Sequence, residues 1–135
     1  MSSGFVHLHT HSSYSPMWGI PTLEALCQAA RTQGQDRLAL TDTNGLYGAI
    51  RFLEVAKHEG LKPILGAELV HKAHRAVLLA KTPAGYANLC RLLSARHEES
   101  TFDFIAAVAR YRAGLIILSD DLSALRTWRK DSPKD

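Results

Sequence analysis

The feature that most constrains this chain is the run FVHLHTHS at residues 5–12, where three histidines fall at every second position. Side chains two apart share one face of a β-strand. If the run is extended, His7, His9 and His11 lie on one face and Val6, Leu8 and Thr10 on the other. Imidazole is the commonest metal-binding side chain and suits zinc, iron and manganese. Two imidazoles at this spacing hold one ion or flank a pair. The plain alternatives are a purification tag or a surface strand; a tag would be an uninterrupted run, whereas here apolar residues are interleaved, so the pattern favours a metal site.

The remainder of the sequence places that run in a mixed architecture. Strands are expected over 5–10, 37–41, 62–70, 76–80 and 115–118. Helices are expected over 22–33, 47–58, 83–97 and 102–112, and a weak one from about 122. Thr22 caps the first helix and Gly34 stops it; Gly60 ends the second. Leu23, Leu26, Cys27 and Ala30 form the apolar face of the first, and Ile50 and Leu53 are assigned to that of the second. The order β-α-β-α-β-β-α-α-β-α predicts an α/β fold with a largely parallel sheet. In such sheets functional residues gather at the carboxyl ends of strands. His9, His11, Asp42, Thr43, Glu68, Asp120 and Asp121 all fall there.

Composition narrows the classes. The 135 residues suit one domain, and 46% hydrophobic with 21% charged residues is ordinary for a globular protein. No apolar run reaches the ~20 residues of a membrane span. No charged leader with an apolar stretch follows Met1, so the expectation is a cytoplasmic protein without a membrane partner. Two cysteines, Cys27 and Cys90, sit in helical patterns and read as buried free thiols. Residues 1–70 carry five Lys/Arg against six Asp/Glu, and residues 71–135 eleven against seven, a mild basic bias compatible with a phosphate-bearing partner and equally with a solvated basic face that has none. The polar stretch 128–135 reads as a frayed tail.

Three segments carry a family resemblance: FVHLHTHS at 5–12, LALTDTNGLYG at 38–48 and KPILGAE at 62–68. They resemble the first motifs of PHP domains, the polymerase and histidinol phosphatase superfamily. The likeness is closest to the N-terminal PHP domain of bacterial DNA polymerase III alpha subunits, including the error-prone type. VLLAKTPAGYANLCRLLS at 77–94 also resembles that group, and histidinol phosphatases lack it. The resemblance runs from Phe5 to Leu122. It implies a PHP domain, N-terminal portion only, over 1–122, and a polar tail or the start of a truncated element over 123–135. The implied fold is the N-terminal part of a distorted seven-stranded (β/α) barrel.

The resemblance also implies a divalent metal cofactor (zinc, manganese or iron), retained or lost, and phosphoester hydrolysis that appears in polymerases as a 3′–5′ exonuclease. His9 and His11 match the family's His-x-His pair, and Glu68 its bridging carboxylate. Trp18 stands where an acidic residue is expected before Gly19, and Thr43 where a histidine is expected after Thr-Asp. The fourth-strand histidine falls near Arg75, with His74 one position away; a one-residue slip turns a side chain to the opposite face. The ligand expected after Leu-Ser falls at Asp121. The implied metal set is therefore His9, His11, Glu68, His74 and Asp121, with Glu68 and Asp121 catalytic, and the final Asp-x-His pair has no counterpart. Implied partners are DNA through a parent polymerase and the remaining polymerase domains. The barrel strands missing from this implied fold would leave open sheet edges, which predicts that the chain self-associates or is a shortened product of a longer one.

For several residues a plain role competes. His7 is expected at the rim and not on the metal, while His71 and His97 are expected to be exposed. Asp42 is expected to shape its turn, and Asp120-Asp121 to open a helix. Trp18 either fills the space of a lost ion or stacks on a base, the first favoured. Two functions remain open: a metal-dependent phosphoesterase with a reduced site, and a silent module retained for folding and docking. A stand-alone phosphoesterase of the superfamily is the alternative.

Overall fold

The computed structural model describes residues 4–130. Its elements are α1 (Leu23–Thr32), β1 (Arg37–Leu40), α2 (Ala49–His58), β2 (Lys62–His71), β3 (His74–Ala80), α3 (Pro83–Glu98), α4 (Phe104–Tyr111), β4 (Leu115–Leu118) and α5 (Leu122–Lys130). The expected helices are all present. Thr22 caps α1 by accepting from the Ala25 amide, and Gly34 follows it at a φ of 74°. Pro83 opens α3 behind the capping hydroxyl of Thr82. The helix start there presses on the lead-in to β4. A Cβ on Gly85 would lie 1.9 Å from the Gly114 carbonyl oxygen, so only glycine fits.

The strands form one sheet in the order β1-β2-β3-β4. Only β1 and β2 are parallel; β2–β3 and β3–β4 are antiparallel, which corrects the expectation of a largely parallel sheet. The reason is local. Lys72 and Ala73 alone connect β2 to β3, with Lys72 at a φ of 54°, and so short a link permits only an antiparallel return.

Segment 5–10 also departs from expectation, for it forms no regular strand. It runs beside β1, with the Ala39 amide bonded to the His7 carbonyl and the Thr41 amide to the Thr10 carbonyl. Three residue steps on the segment thus face two on β1. The extra residue bends the chain at His9, as a β-bulge does, and breaks the alternation that would have aligned all three histidines.

The helices cover one face of the sheet. Leu38 and Leu40 of β1 pack with Leu23 and Cys27 of α1 and Phe52 and Val55 of α2. Ala67, Leu69, Ala76 and Leu78 pack against Leu89 and Leu92 of α3, Phe104 and Val108 of α4, and Ala124 and Trp128 of α5. Two corrections follow. In α2 the buried face is Ala49, Phe52, Val55 and Ala56, while Ile50 and Leu53 are exposed. Trp128, expected in a frayed tail, is buried and donates its indole N–H to the Ile105 carbonyl; residues 131–135 of that tail lie outside the described residues. The other sheet face carries a third cluster of Ala39, Ile64, Val77 and Leu79, all from strands. On β4, Ile116 and Leu118 of that face are exposed.

Both cysteines are free, Cys27 buried and Cys90 half-buried. Burial, with Glu59 and Glu24 nearby, pushes the Cys27 thiol from 9.0 up to about 11. The folded state therefore holds this proton more tightly than the unfolded chain. That preference is intact below pH ~9 and is lost as the pH rises toward ~11. Urea melts from pH 8 to 11 are expected to show wild type losing more stability than Cys27→Ala over that window; parallel curves would contradict this.

Candidate metal centre

The site is built where three pieces of chain meet: the bend after His9, the loop after β1 and the middle of β2. Glu68 lies in β2 and is buried, with 4% of its surface exposed. The loop after β1 zips onto it: the Glu68 amide donates to the Asp42 carbonyl and the Asn44 amide to the Glu68 carbonyl. Thr43 pairs with Glu68 as a parallel bridge, and its hydroxyl donates to Glu68 Oε1 at 3.3 Å. The Asn44 side chain accepts from the Val70 amide, and the Asn44 backbone carbonyl lies 2.7 Å from His97 Nε2. The carboxylate is thereby aimed by backbone on both sides.

His9 and His11 converge on that carboxylate. His9 Nε2 lies 2.7 Å from Glu68 Oε2, and His11 Nε2 lies 3.3 Å from Oε1. The two rings meet edge-on with centroids 5.0 Å apart. One donor atom from each of the three residues lies within 4.8 Å of the others. Donors to zinc sit ~2.0–2.2 Å from the ion, so atoms this close need only small shifts to share one. The decisive atom is His11 Nε2. It is buried and makes no hydrogen bond, and a buried polar nitrogen left so is costly unless something occupies it. Two imidazoles and a carboxylate suit a divalent transition ion. The donor set fits the metal implied by the sequence.

A second layer fixes the histidines. Asp42 is 2% exposed, and Ser12 and Ser15 are fully buried. The Ser12 amide and the Ser15 hydroxyl each donate to Asp42 Oδ1 at 2.7 Å, and the Ser12 hydroxyl donates to Oδ2 at 2.8 Å. The Thr43 amide donates back to Ser15 Oγ. Asp42 does not bond within its own turn as expected; its carboxylate ties the segment after His11 to the loop that holds Glu68. Ser12 and Ser15 were missed in the sequence. Their only signal was a pair of small hydroxyl residues just after the histidines, which reads as ordinary loop.

The remaining expected residues lie elsewhere. His74 pairs with Asp121, Nδ1 to Oδ2 at 3.0 Å, and stacks on Phe104. Asp121 Oδ1 accepts from the Ser123 hydroxyl and from the Ser123 and Ala124 amides, which makes it the cap of α5. These bonds, the Ser123 hydroxyl foremost and the Ala124 amide and His74 next, hold its carboxyl well below the usual carboxylate range. Asp121 is thus committed to the helix start and to His74, and neither joins the triad. Arg75 pairs with Asp120 at 3.1 Å. Between this pair and His9 runs a cleft of about 370 Å³ floored by Val77 and Leu118. His7 is exposed and packs against Phe5, apart from the triad. His71 is half-buried against Phe102, not exposed as expected. Trp18 is 71% exposed and meets His11 edge-on, so it fills no buried space.

The sequence model of the PHP domain family matches residues 7–127. The chain belongs to the PHP domain family. Among its relatives, the error-prone DNA polymerase of Symbiobacterium thermophilum is 47% identical over 94 residues, covering 69% of this chain and 9% of that protein. The DNA polymerase III subunit alpha of Treponema pallidum is 35% identical over 140 residues, covering 88% of this chain and 12% of that one. The chain spans about a tenth of the length of these curated relatives. Among solved structures, a candidate metal-dependent phosphoesterase from Bifidobacterium adolescentis superposes with a TM-score of 0.51 at 16% identity, covering 84% of this chain and 52% of that one. That likeness concerns the fold. Within the described residues of this PHP chain no helix is long and apolar enough to cross a membrane.

Proposed function

We propose that the chain is the N-terminal PHP portion of a bacterial DNA polymerase III alpha-type subunit, carrying a reduced metal site with weak or absent phosphoesterase activity. The observation that carries this reading is the buried His11 Nε2, which lies 3.3 Å from Glu68 Oε1 without making a hydrogen bond, beside His9. The relatives' names support the polymerase context. DNA and the other polymerase domains are the partners this reading assigns. The exposed Ile116 and Leu118 on the edge strand β4 agree with four strands that belong to a larger, seven-stranded barrel, and with self-association of the isolated chain.

His9, His11 and Glu68 would hold the ion, whether zinc, manganese or iron. Such an ion lowers the pKa of bound water and polarises a phosphoryl oxygen. The chain's own contributions are positional. Glu68 is held from both backbone sides, Asp42 locks the His11–Ser12 segment, and Thr43 shares the Glu68 carboxylate where a further imidazole would stand. Three donors complete one catalytic-type site at most, and two-metal chemistry needs two ions ~3.5–4 Å apart. His74 and Asp121 are the remaining metal candidates of the sequence, and their mutual pairing weighs against a second ion.

The test is manganese-supplemented hydrolysis of bis-p-nitrophenyl phosphate and of a 3′-labelled single strand, each with a Glu68→Ala control. Turnover near background is expected. Robust turnover that disappears in Glu68→Ala would overturn the weak-site reading and establish a full phosphoesterase.

A further inference from the structure

The loop that follows the histidines is rigid, yet it holds apolar side chains in water. The Ser13 amide donates to the Pro21 carbonyl, the Ser15 amide to the Ser12 carbonyl, and the Trp18 and Gly19 amides to the Ser15 carbonyl. Gly19 presses so closely on the histidine segment that a Cβ there would lie 1.9 Å from the Ser12 carbonyl oxygen. Ser15 is anchored to Asp42 from below. Position 18 is therefore fixed relative to His11. On this fixed frame Trp18 stands out with Met17 and Ile20. Its ring contacts His11 edge-on, centroids 6.5 Å apart, and has no other aromatic or cation partner among the described residues.

Scattered exposed apolar residues are ordinary. A rigid loop that presents an indole face beside a metal-binding imidazole is a different arrangement. A phosphoester held at His9, His11 and Glu68 would have this exposed ring beside it, through the Trp18–His11 contact. A sugar phosphate without a base leaves the indole in water, whereas a nucleobase, with a flat π-face, covers it. We propose that Trp18 is a stacking platform for the base of a nucleotidyl phosphoester. The inference rests on the phosphoester reading above and names a residue that selects what that site holds.

The chain has two tryptophans. Trp128 is buried, so fluorescence quenching by an added nucleotide reports Trp18. The 135-residue chain, as wild type, Trp18→Ala and Trp18→Phe, is titrated with oligothymidylate, with thymidine monophosphate and with an abasic deoxyribose-phosphate oligomer of equal length. For Trp18→Ala and Trp18→Phe, which give no such signal, an anisotropy label on the oligomers replaces quenching. Manganese binding is measured on the same preparations. Wild type is expected to prefer thymidine-bearing ligands over abasic ones. Trp18→Ala should lose about tenfold of that affinity, while Trp18→Phe retains most of it and abasic binding is unchanged. The monophosphate arm tells whether one base suffices or a strand is needed. Manganese binding without discrimination between the base-bearing and abasic oligomers overturns this proposal and leaves Trp18 to a protein partner. Failure of wild type to bind manganese overturns the phosphoester reading, and this proposal with it.

Discussion

Asp42→Ala is expected to lower stability by about 3–5 kcal/mol and the melting temperature by about 10 °C or more. The carboxylate accepts three short bonds, from the Ser12 amide, the Ser12 hydroxyl and the Ser15 hydroxyl, in a pocket that excludes water. Bonds to a charged group contribute ~1.5–3 kcal/mol each and are not additive within one cluster. Truncation also leaves three donors buried without an acceptor, which costs more than the bonds themselves. Asp42→Asn keeps one acceptor oxygen but points an NH₂ group at donors, so it should recover only part of the loss. Asp36→Ala removes an exposed carboxylate paired with Arg37 and should leave the melt close to that of wild type. Thermal melts of the three variants decide the matter. If Asp42→Ala melts within about 2 °C of wild type, the buried hub does not hold the loop.

The second large effect is on metal affinity. Glu68→Ala should weaken divalent-ion binding by more than about 100-fold, beyond the 10–100-fold typical of groups that only support a ligand. The fold should survive the change. The backbone bonds of Glu68 to Asp42 and Asn44, and its pairing with Val77, do not involve the side chain. Glu68→Gln keeps the shape and removes the charge, so it separates electrostatic from packing loss. A Glu68→Ala protein that melts like wild type but no longer gains stability from added zinc would show that its carboxylate serves the ion.

Much of this was legible because local signals agreed with global packing. Thr22 and Gly34 bracket α1 as expected, and Thr82-Pro83 opens α3. Strand direction was not legible, because Lys72 and Ala73 carry no hairpin turn signature. The α2 face was misassigned since AIRFLEVA at 49–56 offers apolar residues on more than one side; packing against Leu38 and Leu40 selects Phe52 and Val55. Trp128 was lost among polar neighbours for the same reason. The alternating histidines include His9 and His11, which the fold brings to Glu68, but the one-residue bulge that separates His7 from them exists only in register with β1. The Asp42 hub joins residues 27 to 30 positions apart. No periodicity carries that information, and serines near a turn are commonplace.

The most direct measurement is calorimetric titration of zinc into the chelator-treated chain, with Glu68→Ala and the His9→Ala/His11→Ala double variant alongside. A site built from His9, His11 and Glu68 predicts one ion per wild-type chain, bound more than about 100-fold more weakly by either variant. Equal binding by wild type and both variants would contradict a metal centre at these three residues.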